Sequence, residues 1–189
     1  MATIHEYLVA LGGNMPSEAG SAAQTLRAAL DAMEREGARI CAVSAFYNTP
    51  CFPVGAGPDY VNAAARIALG CAPDEALALL HRVEAQFGRT RARRWGRRTL
   101  DLDLIAQGAQ VLPDQVTFAE WRNLPVDVQE ARAPDQLILP HPRLHDRAFV
   151  LVPLADVAPD WRHPVLDCTI RQMVAALPDA DVRAVTRMP

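Results

Sequence analysis

Two aspartates that follow a run of arginines are the residues whose types and spacing most clearly suggest chemistry. Asp101 and Asp103 stand one residue apart, and the alternating segment DLDLI that contains them is typical of a β-strand entering a core. Side chains at i and i+2 share one strand face, so both carboxylates are expected to project the same way. Two like charges held close together repel unless a cation or a proton lies between them. We therefore interpret the pair as a site for a divalent metal ion.

The arginine run before the aspartates carries more positive charge than two carboxylates can balance. Its members are Arg89, Arg91, Arg93, Arg94, Arg97 and Arg98. A polyphosphate bound with magnesium would account for both features, because carboxylates bind the metal, the metal binds phosphate oxygens, and guanidinium groups bind the remaining oxygens. The alternative is a solvated basic loop followed by a strand whose aspartates face water.

Charge and length narrow the classes of protein to consider. The chain has 189 residues, which suits a single domain spanning 1–189. Its net charge is −3 and none of its 19 basic residues is a lysine, so the basic cluster is a local feature of an acidic protein. The absence of lysine excludes mechanisms that need an ε-amine, such as Schiff-base chemistry and the phosphate-loop lysine.

Cysteine spacing and the N-terminal residues indicate where the protein works. The four cysteines form no CxxC pair and have no histidine at zinc-finger spacing, so neither a zinc site nor a disulfide framework is expected. The first residues lack a basic region before an apolar stretch, and no window approaches 18 uninterrupted apolar residues. We expect a cytoplasmic protein with reduced thiols and no membrane partner.

Hydrophobic periodicity and turn residues predict a β-α-β-β-α-β order for the first part of the chain. The predicted strands are 7–11, 40–47, 60–69 and a run from 101, and the predicted helices are 18–36 and 73–87. A loop over 48–60, rich in proline and glycine, is long for a plain connection and is expected to be functional. This order predicts an α+β, ferredoxin-like domain, with helices packed on a mainly antiparallel sheet in three α/β/α layers.

The second part of the chain is less regular. Residues 113–135 contain three prolines and show no clear hydrophobic periodicity, so we interpret them as an insertion. This insert is too apolar for a plain linker, and we expect it to pack either on the domain or on a second copy of the chain. An apolar strand, a Pro-His-Pro turn and a helical run to about Val157 follow, and a short helix over 169–177 precedes a polar tail.

Three separated segments resemble one known family. The stretch RRWGRRTLDLDLI resembles the signature of 6-hydroxymethyl-7,8-dihydropterin pyrophosphokinase, an enzyme of folate biosynthesis, and PHPRLHDRAFVLVPLADVAP resembles its second characteristic segment. FYNTPCFPVGAGPDYVNAA is similar to its pterin-side loop and strand. The likeness extends from Tyr7 to about Ala176 and is interrupted mainly by 113–135. It implies transfer of a pyrophosphoryl group from ATP to the hydroxymethyl oxygen of a reduced pterin, with release of AMP.

The resemblance also implies roles for individual residues. Asp101 and Asp103 match magnesium ligands, for two Mg²⁺ ions bound with ATP, and are expected to be catalytic together with Arg89 and Arg98. The residues expected on the ATP side are His81, Arg94, Leu104, His141 and Arg147. Those expected in the pterin pocket are Thr49, Pro50, Phe52, Tyr60, Asn62, Trp95 and Phe149. The implied partners are ATP and 6-hydroxymethyl-7,8-dihydropterin, and we expect a monomer.

Two other classes of function remain open at this point. Arg89–Arg98 with Trp95 would also suit a nucleic-acid-binding patch, but neighbouring carboxylates repel a phosphodiester backbone and the acidic net charge disfavours non-specific binding, so no nucleic-acid partner is expected. A catalytically inactive regulatory homologue is disfavoured by the presence of both aspartates. Three departures from the family pattern are Arg97, where the family often has proline, Gly13, which replaces a common serine, and residues 113–135, which lengthen what is usually a short connection.

Overall fold

An antiparallel sheet of six strands lies at the centre of the protein. A computed structural model describes residues 3–51, 57–88, 98–125, 128 and 134–189. The strands are β1 (His5–Gly13), β2 (Arg39–Val43), β3 (Tyr47–Thr49), β4 (Tyr60–Leu69), β5 (Asp101–Gln107) and β6 (Thr186–Arg187). Their order is β5-β1-β4-β3-β6, and β2 pairs with β4 beyond the end of β3. All pairings are antiparallel, which confirms the predicted α+β, ferredoxin-like class.

Helices cover both faces of the sheet. The α-helices whose bounds the structure describes are α1 (Ala22–Arg35), α2 (Pro73–Gln86), α3 (Gln115–Asn123), α4 (Ala148–Val157), α5 (Ile170–Ala176) and α6 (Asp179–Ala184). Successive residues of β1 point to opposite faces. Tyr7, Val9 and Leu11 pack in a cluster with α1 and α2, whereas Leu8 and Ala10 pack in a second cluster with α4 and α5. The sheet is therefore the middle layer of three. No helix in the described part of the chain is long and apolar enough to span a bilayer.

Capping interactions set the ends of α1 and α2. The predicted helix from 18 begins at Ala22 instead, because Ser21 caps it and Gln24 completes a capping box. The other predicted helix begins at Pro73, as expected, and Glu75 accepts a hydrogen bond from the backbone N–H of Ala72 at 3.0 Å. Proline is favourable at the first helical position because its missing N–H would have no partner there.

The strand predicted over 40–47 is interrupted at Ser44. The Ser44 N–H donates to the Ala64 carbonyl at 2.9 Å, but the Ala64 N–H donates to the Ser44 hydroxyl at 2.8 Å rather than to a backbone carbonyl. This side chain therefore replaces one acceptor of the ladder and separates β2 from β3. On the other side of the break, the Asp156 carboxylate of α4 accepts hydrogen bonds from the Ala45 N–H and the Tyr47 hydroxyl. These contacts fix the position of β3 against α4.

The C-terminal half departs from the prediction in two places. The polar tail contains α6 and then β6, which pairs with β3 through Tyr47 and Arg187 and adds an edge strand to the sheet. The strand predicted after the insert is reduced to one bridge between Leu112 and Leu139. Both features depend on contacts between segments that are distant in the sequence, so local periodicity could not reveal them.

The described part of the insert packs on the same chain. Asp114 caps α3, accepting a hydrogen bond from the Thr117 N–H at 2.9 Å, and Phe118 on that helix is fully buried. The Phe118 ring lies against His163, with ring centroids 5.6 Å apart. Burial lowers the pKa of His163 to about 4, so its ring is neutral at pH 7 and suits an apolar contact. The helix is thereby joined to the segment between α4 and α5.

Truncation of Phe118 tests this placement. Phe118→Ala should lower the free energy of unfolding by about 3–5 kcal/mol, because it removes a buried ring and leaves a cavity. Val116 on the same helix is 70% exposed, so Val116→Ala should change that free energy by less than about 0.5 kcal/mol. Urea denaturation of both variants beside the parent chain measures the difference. Equal, small effects would contradict the packing of α3 on the domain.

Candidate active site

The two predicted metal-binding aspartates project from the same face of β5. Leu102 and Leu104 alternate with them and are buried in the cluster that contains α1 and α2. Asp101 and Asp103 therefore face the α4 side of the sheet, and both are partly buried. In the antiparallel register Asp103 lies opposite Ala10 and Asp101 lies opposite Gly12. The strand is anchored by its leucines and presents its carboxylates at the other face.

A row of three residues, two polar ones with a glycine between them, crosses the sheet at Asp101. Gly12 pairs with Asp101 on one side and with Asn62 on the other, so all three positions share the α4 face. A Cβ atom on Gly12 would lie 2.9 Å from the Asn62 Oδ1 atom, which is too close. The glycine therefore leaves room over the sheet between the carboxylate and the amide.

The predicted pterin residues Thr49, Tyr60 and Asn62 lie together at the other end of this row. The Asn62 Nδ2 group donates a hydrogen bond of 2.6 Å to the Thr49 hydroxyl, and both residues are buried. Tyr60 pairs with Thr49 across β3 and β4. Pro50 directly follows β3 and is exposed. The bond to Thr49 orients the Asn62 amide so that its Oδ1 atom faces the space above Gly12.

Arg98 joins the carboxylates to this group. Its guanidinium forms an ion pair with Asp101, and both side chains are partly buried. Burial raises the pKa of the Tyr60 phenol; the Arg98 guanidinium lowers it in part, and the Asp101 carboxylate raises it further. These electrostatic effects place Tyr60 close to both charged groups. The predicted pterin side and the predicted phosphate side are therefore adjacent.

Arg147, which directly precedes α4, and His141, in the turn before it, both lie close enough to the aspartates to be affected by their charge. Burial lowers the pKa of Arg147 below its ordinary value, whereas the Asp103 carboxylate raises it; the guanidinium nonetheless stays charged at neutral pH. Burial and the nearby Arg147 charge lower the pKa of His141 to about 3. The His141 Nδ1 atom accepts a hydrogen bond from the Arg143 N–H at 3.1 Å, so the neutral ring carries its proton on Nε2. The ring can thus donate to an anion without adding charge.

Phe149 is an exposed apolar side chain near these charged groups. It lies in the first turn of α4 and is 41% exposed. The Arg147 guanidinium carbon lies 5.8 Å from its ring centroid. Exposed aromatic rings beside charged groups are suited to stacking on a flat ligand, as predicted for the pterin pocket.

Of the other predicted residues, the structure describes His81 and Leu104. His81 lies on α2, in the layer on the far side of the sheet from Arg147. The Leu104 side chain is buried in the core, so a contact with ATP would have to use its backbone on β5, the terminal strand of the sheet. Phe52, Arg89, Arg94 and Trp95 lie outside the described residues.

Two buried polar residues near the site were not singled out from the sequence. Glu84 on α2 is 2% exposed and accepts a hydrogen bond of 2.8 Å from the Leu102 N–H, between the two aspartates. Asn14, directly after β1, accepts from the Arg98 N–H and donates to the Pro58 carbonyl. The sequence did contain a signal for Glu84. A glutamate at an otherwise apolar position of an amphipathic helix is rarely buried without a partner, so a hydrogen-bonding role could have been predicted.

Comparison with known proteins identifies the family. The model of the family 7,8-dihydro-6-hydroxymethylpterin-pyrophosphokinase matches residues 8–159, which include all the residues of the site described above. The chain belongs to this pyrophosphokinase family. Among curated relatives it is 35% identical over 171 residues to 2-amino-4-hydroxy-6-hydroxymethyldihydropteridine pyrophosphokinase of Synechocystis, covering 90% of this chain and 75% of that one. It is 38% identical over 162 residues to the protein of the same name from Pseudomonas aeruginosa, covering 85% of each.

Solved structures agree with the fold of this pyrophosphokinase. The Plasmodium falciparum HPPK-DHPS A437G structure with STZ-DHP superposes with a TM-score of 0.64 at 14% identity and covers 92% of this chain. The chain spans 45% of the length of that protein. At this level of identity the match supports the shared architecture of the domain alone.

Substitution of Gly12 tests the space above the sheet. Gly12→Ala should displace the Asn62 amide and raise the KM for the family's pterin substrate about tenfold or more, with a change of less than about threefold in the KM for ATP. Gly37→Ala is a matched control, because Gly37 lies at the end of α1 with φ +99° and its replacement costs stability away from the site. Steady-state kinetics and melting curves of both variants give the comparison. A Gly12→Ala variant with an unchanged pterin KM would contradict the assignment.

Proposed function

We propose that the cluster around Asp101 and Asp103 is the active site for the reaction of the pyrophosphokinase family. This reaction transfers the pyrophosphoryl group of ATP to the hydroxymethyl oxygen of 6-hydroxymethyl-7,8-dihydropterin in folate biosynthesis and releases AMP. The observation that carries the proposal is the carboxylate pair on one face of β5 with Arg98 and Arg147 beside it. Such an arrangement suits a metal-bound polyphosphate, since both signs of charge are concentrated at one place.

Asp101 and Asp103 would hold magnesium, with two ions bound together with ATP. Their donor atoms are hard oxygens, which Mg²⁺ prefers. The described residues contain no group of three histidine, cysteine, aspartate or glutamate side chains that could hold a metal, so the remaining ligands would be phosphate oxygens and water. This set fits a metal that arrives with the nucleotide. Magnesium bound there would neutralise charge on the transferred group.

The phosphates would lie between Arg98 and the start of α4. Arg98 and Arg147 bracket the two aspartates, and each can bind phosphate oxygens through its guanidinium. The neutral His141 can donate its Nε2 proton to a phosphate oxygen. Arg89, Arg94 and His81, and the backbone of Leu104, are proposed to complete the ATP side. The protein's contribution is to hold the two substrates in line and to meet developing negative charge, so no side-chain nucleophile is needed.

The pterin would lie above Gly12, between Asn62 and Phe149. Because Asn62 donates to Thr49, its Oδ1 atom is an acceptor directed to that space, suited to the amino or ring N–H groups of a pterin. Phe149 would stack on the flat ring, and Tyr60 would close the side nearest Arg98. Pro50, Phe52 and Trp95 are proposed to form the rest of the pocket. The hydroxymethyl group would then point toward Asp101.

We further propose that the protein acts as a monomer in the cytoplasm, with no nucleic-acid or membrane partner. The ligands are small molecules, for which a single concave site is sufficient.

Product analysis tests the proposed reaction. The full chain with MgATP should form AMP only when 6-hydroxymethyl-7,8-dihydropterin is present, with one AMP for each pterin diphosphate. Chromatographic separation of the nucleotides over time measures this ratio. Formation of ADP in equal amount to a phosphorylated pterin would place the protein among ordinary kinases and reject the assignment.

Removal of either carboxylate charge tests the metal site. Asp101→Asn and Asp103→Asn should each slow AMP formation roughly a thousandfold, equivalent to about 4 kcal/mol, with partial rescue by added magnesium. Without metal, melting temperatures should change little, because the relief of repulsion is offset by the loss of attraction to Arg98 or Arg147. Asp179→Asn, at an exposed position of α6, is the control and should leave the rate unchanged. Turnover near the parent rate in either test variant would refute the metal assignment.

A further inference from the structure

We propose that Asn14 is a positioning residue that couples the pterin side of the site to the phosphate side. Asn14 lies directly after β1 and is 8% exposed. Its side chain joins two segments that are distant in the sequence, at Pro58 and at Arg98. The inference rests on the proposed function, because that function defines the pterin side and the phosphate side. The hydrogen bonds of Asn14 do not depend on it.

Asn14 forms hydrogen bonds through the oxygen and the nitrogen of its side-chain amide and through its backbone N–H. The Oδ1 atom accepts a hydrogen bond of 3.0 Å from the Arg98 N–H, and the Nδ2 group donates one of 3.2 Å to the Pro58 carbonyl. The Asn14 N–H donates to the Arg98 carbonyl at 3.0 Å. Asparagine suits this place because its amide is both donor and acceptor, whereas an aspartate would only accept.

The contact at Arg98 reaches the carboxylate pair. Two hydrogen bonds from Asn14 hold the backbone of Arg98, whose guanidinium pairs with Asp101. Gly13 allows the close approach, since a Cβ atom there would lie 2.6 Å from the Thr99 carbonyl oxygen. Asn14 therefore positions Arg98 against Asp101 through the Arg98 backbone.

The contact at Pro58 reaches the pterin side. Pro58 lies two residues before Tyr60, the first residue of β4. The preceding Gly57 is held at both backbone groups by the Cys51 sulfur, and Asp59 accepts a hydrogen bond from the Cys51 N–H at 3.3 Å. A movement of this segment on ligand binding would thus be transmitted by Asn14 to Arg98. Such a link makes the affinity for one substrate depend on the other, and the dependence is reciprocal.

Two substitutions of Asn14 distinguish its contact with Pro58 from its contact with Arg98. Asn14→Ala removes both side-chain bonds, whereas Asn14→Asp retains an acceptor for the Arg98 N–H and loses the donor to Pro58. Asn123→Ala is the matched control, because Asn123 is an exposed asparagine at the end of α3 whose side chain accepts a hydrogen bond from the adjacent Arg122. All variants are made in the full chain.

Hydrogen exchange provides a test that needs no ligand. In Asn14→Ala, exchange should rise about tenfold or more in peptides covering both 57–61 and 98–101, while in Asn14→Asp it should rise only in 57–61. Asn123→Ala should change neither. Unchanged exchange in either region of a folded Asn14→Ala variant would overturn the proposal, as would a uniform rise across the whole sheet, which indicates general destabilisation.

Binding measurements test the coupling itself. In the parent chain, a non-hydrolysable ATP analogue with magnesium should tighten pterin binding, and in both Asn14 variants this enhancement should fall at least about fivefold. The separate affinities for each ligand should change less than about threefold, and the kcat of Asn14→Ala should fall by about ten- to a hundredfold. Retention of the parent enhancement would overturn the proposal. A parent chain that binds neither ligand would reject the proposed function, and the exchange experiment would still decide the role of Asn14.

Discussion

The proximity of two carboxylates on one strand face is the constraint on which the rest of the site depends. Asp101 and Asp103 repel each other, and partial burial reduces the screening by water that would make this repulsion small. The protein balances the pair with Arg98, from the turn before β5, and Arg147, from the start of α4. Neither arginine is placed by β5 itself. The pair is tolerated only when the turn and the helix pack correctly against that strand.

The two faces of the sheet have different roles: one packs in an apolar core, and the other carries residues of the site. On the face toward α1 and α2, leucines of β5 pack in a continuous apolar cluster. On the face toward α4, the apolar cluster gives way at one end to the polar row of Asp101, Gly12 and Asn62. Because side chains alternate along a strand, the buried leucines hold the aspartates in place without occupying the site. The buried Glu84 carboxylate adds a bond to the Leu102 N–H from the apolar side.

Much of the fold could be predicted because its elements carry local signals. The amphipathic pattern and capping residues located α1 and α2 to within a few residues, and the apolar run from Tyr60 located β4. The break at Ser44 was missed because it depends on a hydroxyl that accepts from a backbone N–H on another strand. The last strand was missed for a related reason: residues 186–187 are polar and exposed, and they form a strand only through pairing with β3.

By itself, the sequence determined the residue types of the site, the common face of Asp101 and Asp103, and the likeness to one enzyme family. These depend on local geometry and on the order of the residues. Tertiary structure alone decided that Asn14 meets both Pro58 and Arg98, that Asn62 turns its Oδ1 atom toward Gly12, and that His141 is neutral. The physical reason is that hydrogen bonds between distant segments depend on strand register, and a side chain's pKa depends on its burial and its neighbouring charges; both arise only when the layers pack together.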